Sequence, residues 1–452
     1  MNNYENKKIH LIGIGGVSMS GIAYMLKDLN AIVTGTDANE SALTRKLKEN
    51  NIEVIIGTSD ELIKNADIVI YTAAIKENNP DMISAKKYNK ELYERAKFLG
   101  ILSKMYKNCL CISGTHGKST TTGIVSNIFL EANLNPTISI GANLPIINSN
   151  IHIGTKDYLI MESCEYVDSF LNFFPTGAII TNIDNDHLDY FKNLDNIKKS
   201  FKKYSELLPE NGFLIVNLDD DNSKELLNTN TNVITYGINK DANYNAKDIK
   251  FNNEGYARYK LYINNEYIKD IELSIPGIHN VYNSLSAIAL SYNYIKDLNT
   301  ISTGIKKYTG VGRRFEFIGK YNNANLYDDY AHHPTEIYST LDTVKKMKYN
   351  NCYAIFQGHT YSRTKEHLED FAKVLKEFDN IVIAPIYAAR EENIYNVNET
   401  DLVDLIKKDN KNVIYIDSFD KITNHLKETI KENDLVITIG AGPINEVVKN
   451  LI

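Results

Sequence analysis

The sequence predicts an α/β protein made of three successive domains. Short apolar runs alternate with amphipathic helical stretches, as βαβ units do. The pattern restarts twice along the chain. One interior stretch breaks it by alternating apolar and polar residues, as a hairpin does.

The first domain is placed at residues 1–107. IHLIGIGG, AIVTGTD, VIIG and DIVIYTAAI read as strands, and VSMSGIAYMLKDL as the helix after the first of them. Continuous apolar runs indicate strands buried on both faces, hence a parallel, Rossmann-like sheet. The second domain, residues 108–310, opens with CLCISGTHGKSTTTGIVSNIFLEAN and continues with strands at TISIG, DYLIMES, GAIITNI and GFLIVNL. The strand at GAIITNI is read, through IITNIDNDHLDYF, as ending at His187. Within this domain, residues 249–275 alternate through RYKLYINNEYIKDIELSI around an Asn264-Asn265 turn candidate and predict an antiparallel hairpin. Pro276-Gly277 ends it, and HNVYNSLSAIALSYNYI starts a helix. The third domain, residues 311–452, places strands at NCYAIFQG, NIVIAPIY, NVIYIDS and DLVITIGAG between helices such as SRTKEHLEDFAKVLKEF, a second Rossmann-like alternation.

Composition narrows the function. The 452 residues exceed what one core usually organises. A net charge of -7 argues against nucleic acid as partner, while leaving room for a local phosphate pocket. MNNYENKK followed by IHLIGIGG is no signal peptide, and no run approaches the roughly 18 apolar residues of a membrane span. Cys109, Cys111, Cys164 and Cys352 are scattered, with Cys109 and Cys111 on one strand face, which reads as reduced core thiols. A cytoplasmic protein without membrane insertion is expected.

The most specific feature is Gly114-Thr115-His116-Gly117-Lys118-Ser119-Thr120, which follows a strand and opens a helix. Glycines let the backbone wrap a phosphate, and the helix N-terminus aims N–H groups at it. Lys118 suits β/γ-phosphate charge, and the Ser119 hydroxyl suits Mg²⁺. This GxxGKS run is shorter than GxxxxGK[ST], whose first glycine would fall at Ile112. It predicts a central domain of the P-loop ATPase type. Near the start, Gly13-Ile14-Gly15-Gly16-Val17-Ser18 resembles GxGxxG with Ser18 in place of the third glycine. Asp37 follows the second strand, where a dinucleotide fold puts its ribose acid. By themselves these residues suggest a nicotinamide dinucleotide.

GTHGKSTTT resembles the ATP loop of the Mur ligases, in particular those that add the first amino acid, and the resemblance extends over nearly the whole chain. It implies joining of L-alanine to the lactyl carboxylate of UDP-N-acetylmuramate through an acyl phosphate, in cytoplasmic peptidoglycan precursor synthesis. ATP is then co-substrate and Mg²⁺ or Mn²⁺ the cofactor. The three small molecules are the partners, and the chain is expected as a monomer or weak homodimer. The first domain's turn is implied to hold the UDP-sugar, through Gly13, Gly15, Gly16, Ser18, Asp37 and Thr72. Thr72-Ala73-Ala74-Ile75 stands where that branch more often shows Ser-Ser-Ala-Ile.

The family's metal ligands correspond to Ser119, Glu162 and His187, the last within an Asn182-to-His187 pattern, with Glu165 a nearby second candidate. Chemistry alone reads His187 as a polar surface residue, because imidazole suits hard Mg²⁺ poorly. His279-Asn280-Val281-Tyr282-Asn283 resembles HNxxN, which puts Asn280 and Asn283 at the adenine end of ATP; helix capping is the other reading. Gly312-Arg313-Arg314-Phe315-Glu316 resembles GRxE, with Arg314 matched to ATP and Arg313 read as a solvated neighbour. Residues Asp328 to Glu336 resemble DDYxHHPTE. They imply Asp329 and His332 at ATP and the reacting centre and His333 on the amino-acid side, against a plain surface loop. FQGHTYSRT resembles FQPHxxSRT and implies His359 and Arg363 as holders of the amino acid; Gly358 for the usual Pro predicts a slightly looser loop. Ile140-Gly141-Ala142-Asn143 keeps only the first glycine of the family's pair. Lys118, Glu162, His187, Asp329 and His332 are the implied catalytic set. A peptide-recycling branch shares GTHGK and a His-His-Pro loop, but tends to lack GIGG and FQxHxxSRT, both present here.

Overall fold

The structure is a computed structural model that describes residues 4–389 and 391–452. The chain forms two compact units. One comprises Met1–Asn245, Tyr262–Glu266 and Tyr282–Lys307, the other Ala246–Leu261, Tyr267–Val281 and Tyr308–Ile452.

The first unit begins with strands β1 (Lys8–Ile12), β2 (Ile32–Asp37), β3 (Glu53–Ile56), β4 (Ile68–Tyr71) and β5 (Glu91–Glu94). They pair in the order β3-β2-β1-β4-β5, all parallel. The order reverses at β1, so the turn carrying Gly13 to Gly16 lies at the switch-point crevice, where open α/β sheets bind ligands. β5 is absent from the sequence reading. Its ELYE is half acidic and, as an edge strand, needs no continuous apolar run.

A second sheet follows with β6 (Asn108–Ser113), β7 (Pro136–Leu144), β8 (Ser149–His152), β9 (Thr155–Glu162), β10 (Gly177–Ile180), β11 (Phe213–Asn217) and β12 (Asn232–Gly237). β13 (Tyr244–Phe251) starts beside β12. The order from β12 is β12-β11-β10-β6-β9-β7-β8, parallel except for the β7–β8 pair. Alternate residues Cys109, Cys111, Leu159, Met161, Ala178, Ile180, Leu214 and Val216 share one buried face. Cys109 and Cys111 are buried free thiols with Sγ atoms 3.6 Å apart. The helix Lys118–Glu131 carries almost no charge after Lys118 and is buried on nearly all sides.

β10 ends at Ile180 and not near His187, which corrects the sequence reading. Residues after Ile180 leave the ladder to hydrogen-bond the phosphate loop. His187 takes a left-handed backbone (φ 55) just before the short helix Leu188–Phe191.

Four helices of this unit stop in the same way. Asn30, Asn51, Asn89 and Asn133 adopt left-handed conformations directly after the last helical turns. In each case the asparagine N–H and the next N–H reach back to helix carbonyls: Asn30 to Lys27 and Ala31 to Leu26, Asn51 to Lys48 and Ile52 to Leu47, Asn89 to Lys86 and Lys90 to Ala85, Asn133 to Leu130 and Leu134 to Phe129. These are Schellman closures with asparagine where glycine is commonest.

β13 continues into the second unit, which also holds most of β14 (Tyr256–Ile263) and β15 (Glu266–Pro276). Asn264 and Asn265 join these two strands with φ of 49° and 67°, the paired left-handed geometry of a tight hairpin turn. The third sheet contains β16 (Glu316–Tyr321), β17 (Ala324–Asp329), β18 (Cys352–Phe356), β19 (Asn380–Ile383), β20 (Val413–Tyr415) and β21 (Leu435–Ile439). Its order is β16-β17-β21-β18-β19-β20, parallel apart from the β16–β17 hairpin. Among the described residues, no helix is long and apolar enough to cross a membrane.

Candidate active site

The phosphate loop leaves β6 and turns into the helix Lys118–Glu131. Gly114 has φ 129° and Gly117 φ 82°. A Cβ on Gly114 would stand 2.0 Å from Thr181 Oγ1, and one on Gly117 2.6 Å from Asn283 Oδ1. Glycine is therefore required twice, by conformation and by space. The loop is stitched to the segment after β10. Thr115 N–H donates to Asn182 O (3.0 Å), His116 N–H to Asn182 Oδ1 (2.9 Å), and Asp184 N–H to Thr115 Oγ1 (2.9 Å). Thr181 Oγ1 donates to His116 O at 2.6 Å, and His116 Nε2 lies 3.0 Å from Asp184 Oδ2. Asn182 is thus a brace for the loop. Thr120 lies half-buried on the first turn of the helix.

Lys118 folds back across the loop. Its Nζ donates to Gly114 O (2.5 Å), Thr115 O (2.9 Å) and both oxygens of buried Glu165 (3.0 and 3.2 Å). Burial acts to lower the ammonium's pKa, and the charges of Glu165, Cys164 and Glu162 outweigh it, so the pKa lies above the ordinary lysine value. The register sets Glu162, at the end of β9, level with Ile112 of β6. There Glu162 Oε2 accepts from Ser119 Oγ and from Gly141 N–H, both at 2.9 Å. The structure therefore brings Lys118, Ser119, Glu162 and Glu165 to one loop mouth.

His187 is held differently. Its ring lies 4.6 Å from that of Tyr166, and its Nε2 is 3.8 Å from Asp186 Oδ2. Among the described residues it makes no hydrogen bond to Ser119 or Glu162. Nearby, Val167 and Asp168 both take left-handed backbones, at φ 50° and 55°.

In the first sheet, Gly15 N–H donates to Asp37 Oδ2 at 2.8 Å, so Asp37 braces the glycine turn. Thr72 Cγ2 stands 2.8 Å from where a Cβ on Gly13 would be, and Gly16 begins the helix Val17–Asp28. Arg95 donates to Ser18 Oγ at 3.2 Å, bringing a guanidinium to that helix N-terminus. The sequence reading misses Arg95, because nothing in YERAKF marks it as a partner of a turn 77 residues earlier.

In the second unit, Asn280 lies inside the first turn of the helix Ile278–Ser291, and its Nδ2 donates to Pro276 O at 2.6 Å, tying that turn to the end of β15. Arg313 is not a solvated neighbour. Its Nε donates to buried Asp328 (2.9 Å) and its Nη2 to Gly440 O (2.7 Å) and Gly442 O (2.9 Å). Arg314 sits 3.5 Å from Glu336, and both guanidiniums lie over the Tyr330 ring. Glu336, quoted in the motif without a role, also accepts from His332 N–H at 3.0 Å. Asp329 accepts from Thr340 Oγ1 at 2.6 Å. Burial raises its pKa to about 6, against the lowering effects of Thr340 and Arg314.

His332 Nδ1 lies 3.0 Å from Tyr330 O, and burial holds its pKa below the ordinary histidine value. His333 caps the helix Pro334–Lys345, its Nδ1 accepting from Thr335 N–H at 3.3 Å. The His359 ring is 5.7 Å from that of His332. Burial, then the charges of His332 and Arg363, lower its pKa to about 4. The looseness expected from Gly358 is not found. Tyr387 N–H donates to Gly358 O and Thr360 N–H to Tyr387 O, both at 2.9 Å, pinning the loop on either side of His359. Arg363 lies in the following helix, Tyr361–Glu366, which the Thr360 side chain caps.

Known proteins share the order of the domains. Residues 8–107 match the Mur ligase family catalytic domain, 112–291 the Mur ligase middle domain and 313–442 the Mur ligase glutamate ligase domain. The chain is 46% identical over 445 residues to the UDP-N-acetylmuramate–L-alanine ligase of Caldicellulosiruptor saccharolyticus, covering 98% of this chain and 97% of that one. The crystal structure of a UDP-N-acetylmuramate-alanine ligase from Thermotoga maritima superposes with a TM-score of 0.84 at 26% identity, over 98% of both chains. A murein peptide ligase from Psychrobacter arcticus, covering 98% of this chain and 97% of its own, shares the fold at TM-score 0.70 and 22% identity. With three family models aligned in sequence order and a near-full-length relative far above chance identity, the chain belongs to the Mur ligase family.

Proposed function

We propose that this protein ligates L-alanine to the lactyl carboxylate of UDP-N-acetylmuramate, converting ATP to ADP and phosphate, in cytoplasmic peptidoglycan precursor synthesis. The observation that carries the reading is the Lys118–Ser119–Glu162 loop mouth, set in a chain 46% identical along nearly its whole length to a UDP-N-acetylmuramate–L-alanine ligase. Residues 1–107 take the UDP-sugar, 108–310 the ATP and 311–452 the amino acid, and the chain acts as a monomer or weak homodimer.

A carboxylate resists amines at neutral pH because its carbonyl is electron-rich and its leaving group would be oxide. The lactyl carboxylate therefore attacks the γ-phosphorus of ATP. An O–P bond forms, the bond to ADP breaks, and an acyl phosphate results. The neutral amine of alanine then attacks the acyl carbon and phosphate leaves. The protein's contribution is positioning and charge stabilisation. Lys118 meets the β/γ-phosphate charge, and the N–H groups of Gly117 to Thr120 face the same anion. Asn283, packed on Gly117, and Asn280 and Arg314 serve the rest of ATP. His332 suits proton acceptance from the amine: with Nδ1–H donating to Tyr330 O, Nε2 carries the lone pair, and burial keeps the ring neutral. Asp329, at the end of β17, serves ATP and the reacting centre with it, and His359, Arg363 and His333 receive alanine. Arg363 pairs the alanine carboxylate. Gly13, Gly15, Gly16, Ser18, Thr72 and Arg95 take the UDP diphosphate, with Asp37 bracing the turn.

Ser119 and Glu162 offer hard oxygen donors 2.9 Å apart, which fit Mg²⁺ or Mn²⁺, and His187, which hydrogen-bonds neither of them, is the third ligand that the family resemblance implies. Such an ion, when bound, neutralises phosphate charge. The test is phosphate release with each amino acid in turn, with and without UDP-N-acetylmuramate. Release requiring both the sugar nucleotide and alanine supports the reading. Release with a muropeptide but not alanine assigns the peptide-ligase branch instead. Lys118→Ala should lower turnover by on the order of 10²-fold or more; wild-type turnover in that variant refutes the loop's role.

A further inference from the structure

We propose that Glu165 is a positioning residue that holds Lys118 in reserve and thereby sets how tightly the loop takes up nucleotide. The inference rests on the reading of this loop as the ATP site. A lysine ammonium has three N–H donors and no more. Here Gly114 O, Thr115 O and the Glu165 carboxylate occupy all three. No donor is left for an incoming phosphate, so uptake of nucleotide requires that at least one of these bonds be given up.

The two carbonyls are neutral acceptors belonging to the loop itself. Glu165 is different in kind. It is an anion, it is buried, and Lys118 is the one described side chain that hydrogen-bonds its carboxylate. Phosphate and carboxylate therefore compete for the same cation. The competition is local, because Glu162 spends its Oε2 on Ser119 and Gly141 and makes no hydrogen bond to Lys118 among the described residues. A buried cation that loses its countercharge is strongly unfavourable until another anion arrives. Neutralising Glu165 while keeping its shape should therefore strengthen nucleotide binding. It should also slow turnover, since ADP would leave more slowly and Lys118 would no longer be presented from one fixed position. A residue that merely supported the fold would give neither effect.

The experiment uses the full-length protein and ADP as probe. ADP affinity is measured by calorimetry for wild type, Glu165→Gln, Glu165→Asp, Lys118→Met and the double variant, with thermal melts to establish folding. Glu165→Gln is expected to bind ADP about tenfold tighter, within the range of coupling between competing sites. Steady-state assays should show KM for ATP and kcat both falling. Glu165→Asp should return both toward wild type. In the Lys118→Met background the Glu165 substitution should change nothing. Equal or weaker ADP binding by folded Glu165→Gln overturns the proposal, as does the same tightening without Lys118. Failure of wild type to bind ADP at all would instead refute the loop as the nucleotide site.

Discussion

Arg313 and Arg314 are adjacent, similarly charged and close to the same tyrosine ring, yet the structure gives them opposite weights. Arg313→Ala leaves Asp328, which is 0% exposed, with the Thr438 hydroxyl but no countercharge, and releases the carbonyls of Gly440 and Gly442. Removing one partner of a buried ion pair costs roughly 3–5 kcal/mol. The Arg313 side chain retains 24% exposure, which admits some solvent and places the cost near the lower end, about 3 kcal/mol. For a unit of this size that corresponds to a fall in Tm of roughly 6–12 °C. Arg313→Lys keeps the charge, but a single ammonium cannot span a carboxylate and two loop carbonyls, so about half the loss is expected. Arg314→Ala gives up a 3.5 Å pair with Glu336 at a third exposure, worth under about 1 kcal/mol in stability, while KM for ATP rises. Differential scanning calorimetry of the three full-length variants, with ATP kinetics alongside, decides the matter. An Arg313→Ala melt within a degree of wild type, or an Arg314→Ala protein that is equally destabilised, would refute the reasoning.

His10 is buried in β1, with Nδ1 2.8 Å from Thr34 Oγ1, and burial lowers its pKa from 6.5 to about 4 despite the opposing charge of Asp81. Between those values the unfolded chain binds a proton that the folded one does not, so this group's contribution to stability is lost as pH falls from 6.5 toward 4. Urea titrations should show about 2 kcal/mol less stability at pH 5 than at pH 7 from this source, absent in His10→Gln; equal losses in both proteins would exclude His10 as the cause. Val167, a β-branched residue at φ 50° and 40% exposed, carries left-handed strain, so Val167→Asn should raise Tm with a gain of about 1 kcal/mol. A lowered Tm would show that valine's packing outweighs the strain.

Much of the architecture was legible because its strands are continuous apolar runs. β1, β6, β9 and β21 needed no tertiary information, and the phosphate loop announced itself by strand, glycines, lysine and helix in series. What escaped had a physical reason in each case. β5 is an edge strand with acidic residues, so periodicity says nothing. β16 and β17 close over Asn322-Asn323, the same left-handed pair that flagged the β14–β15 hairpin, yet the aspartates ending β17 drew attention to chemistry and hid the strand. His187 lies beyond β10 because the Thr181 and Asn182 side chains turn to the phosphate loop as the ladder ends, and side-chain hydrogen bonds of that kind leave no periodic trace. Arg95 with Ser18, Gly141 with Glu162 and Arg313 with Asp328 are contacts between segments distant in sequence. Each depends on the fold that brings them together. Arg313 was misjudged for that reason: its partner was visible in the motif, but the buried position of that partner was not.

Two groups of left-handed residues in the first unit lie on opposite rims. Gly13, Gly114 and Gly117 lie where strands give way to helix starts, at the rim proposed for phosphate, and there even one methyl group would collide. Asn30, Asn51, Asn89 and Asn133 lie at helix ends, on the reverse rim, where nothing must approach and a side chain is harmless. The chain's scattered asparagines thus have an address: they supply mirror-image backbone without the added freedom that glycine gives an unfolded chain. Exchanging the two residue types between the rims should therefore fail in one direction only, with glycine accepted at the helix stops and asparagine rejected at the nucleotide face.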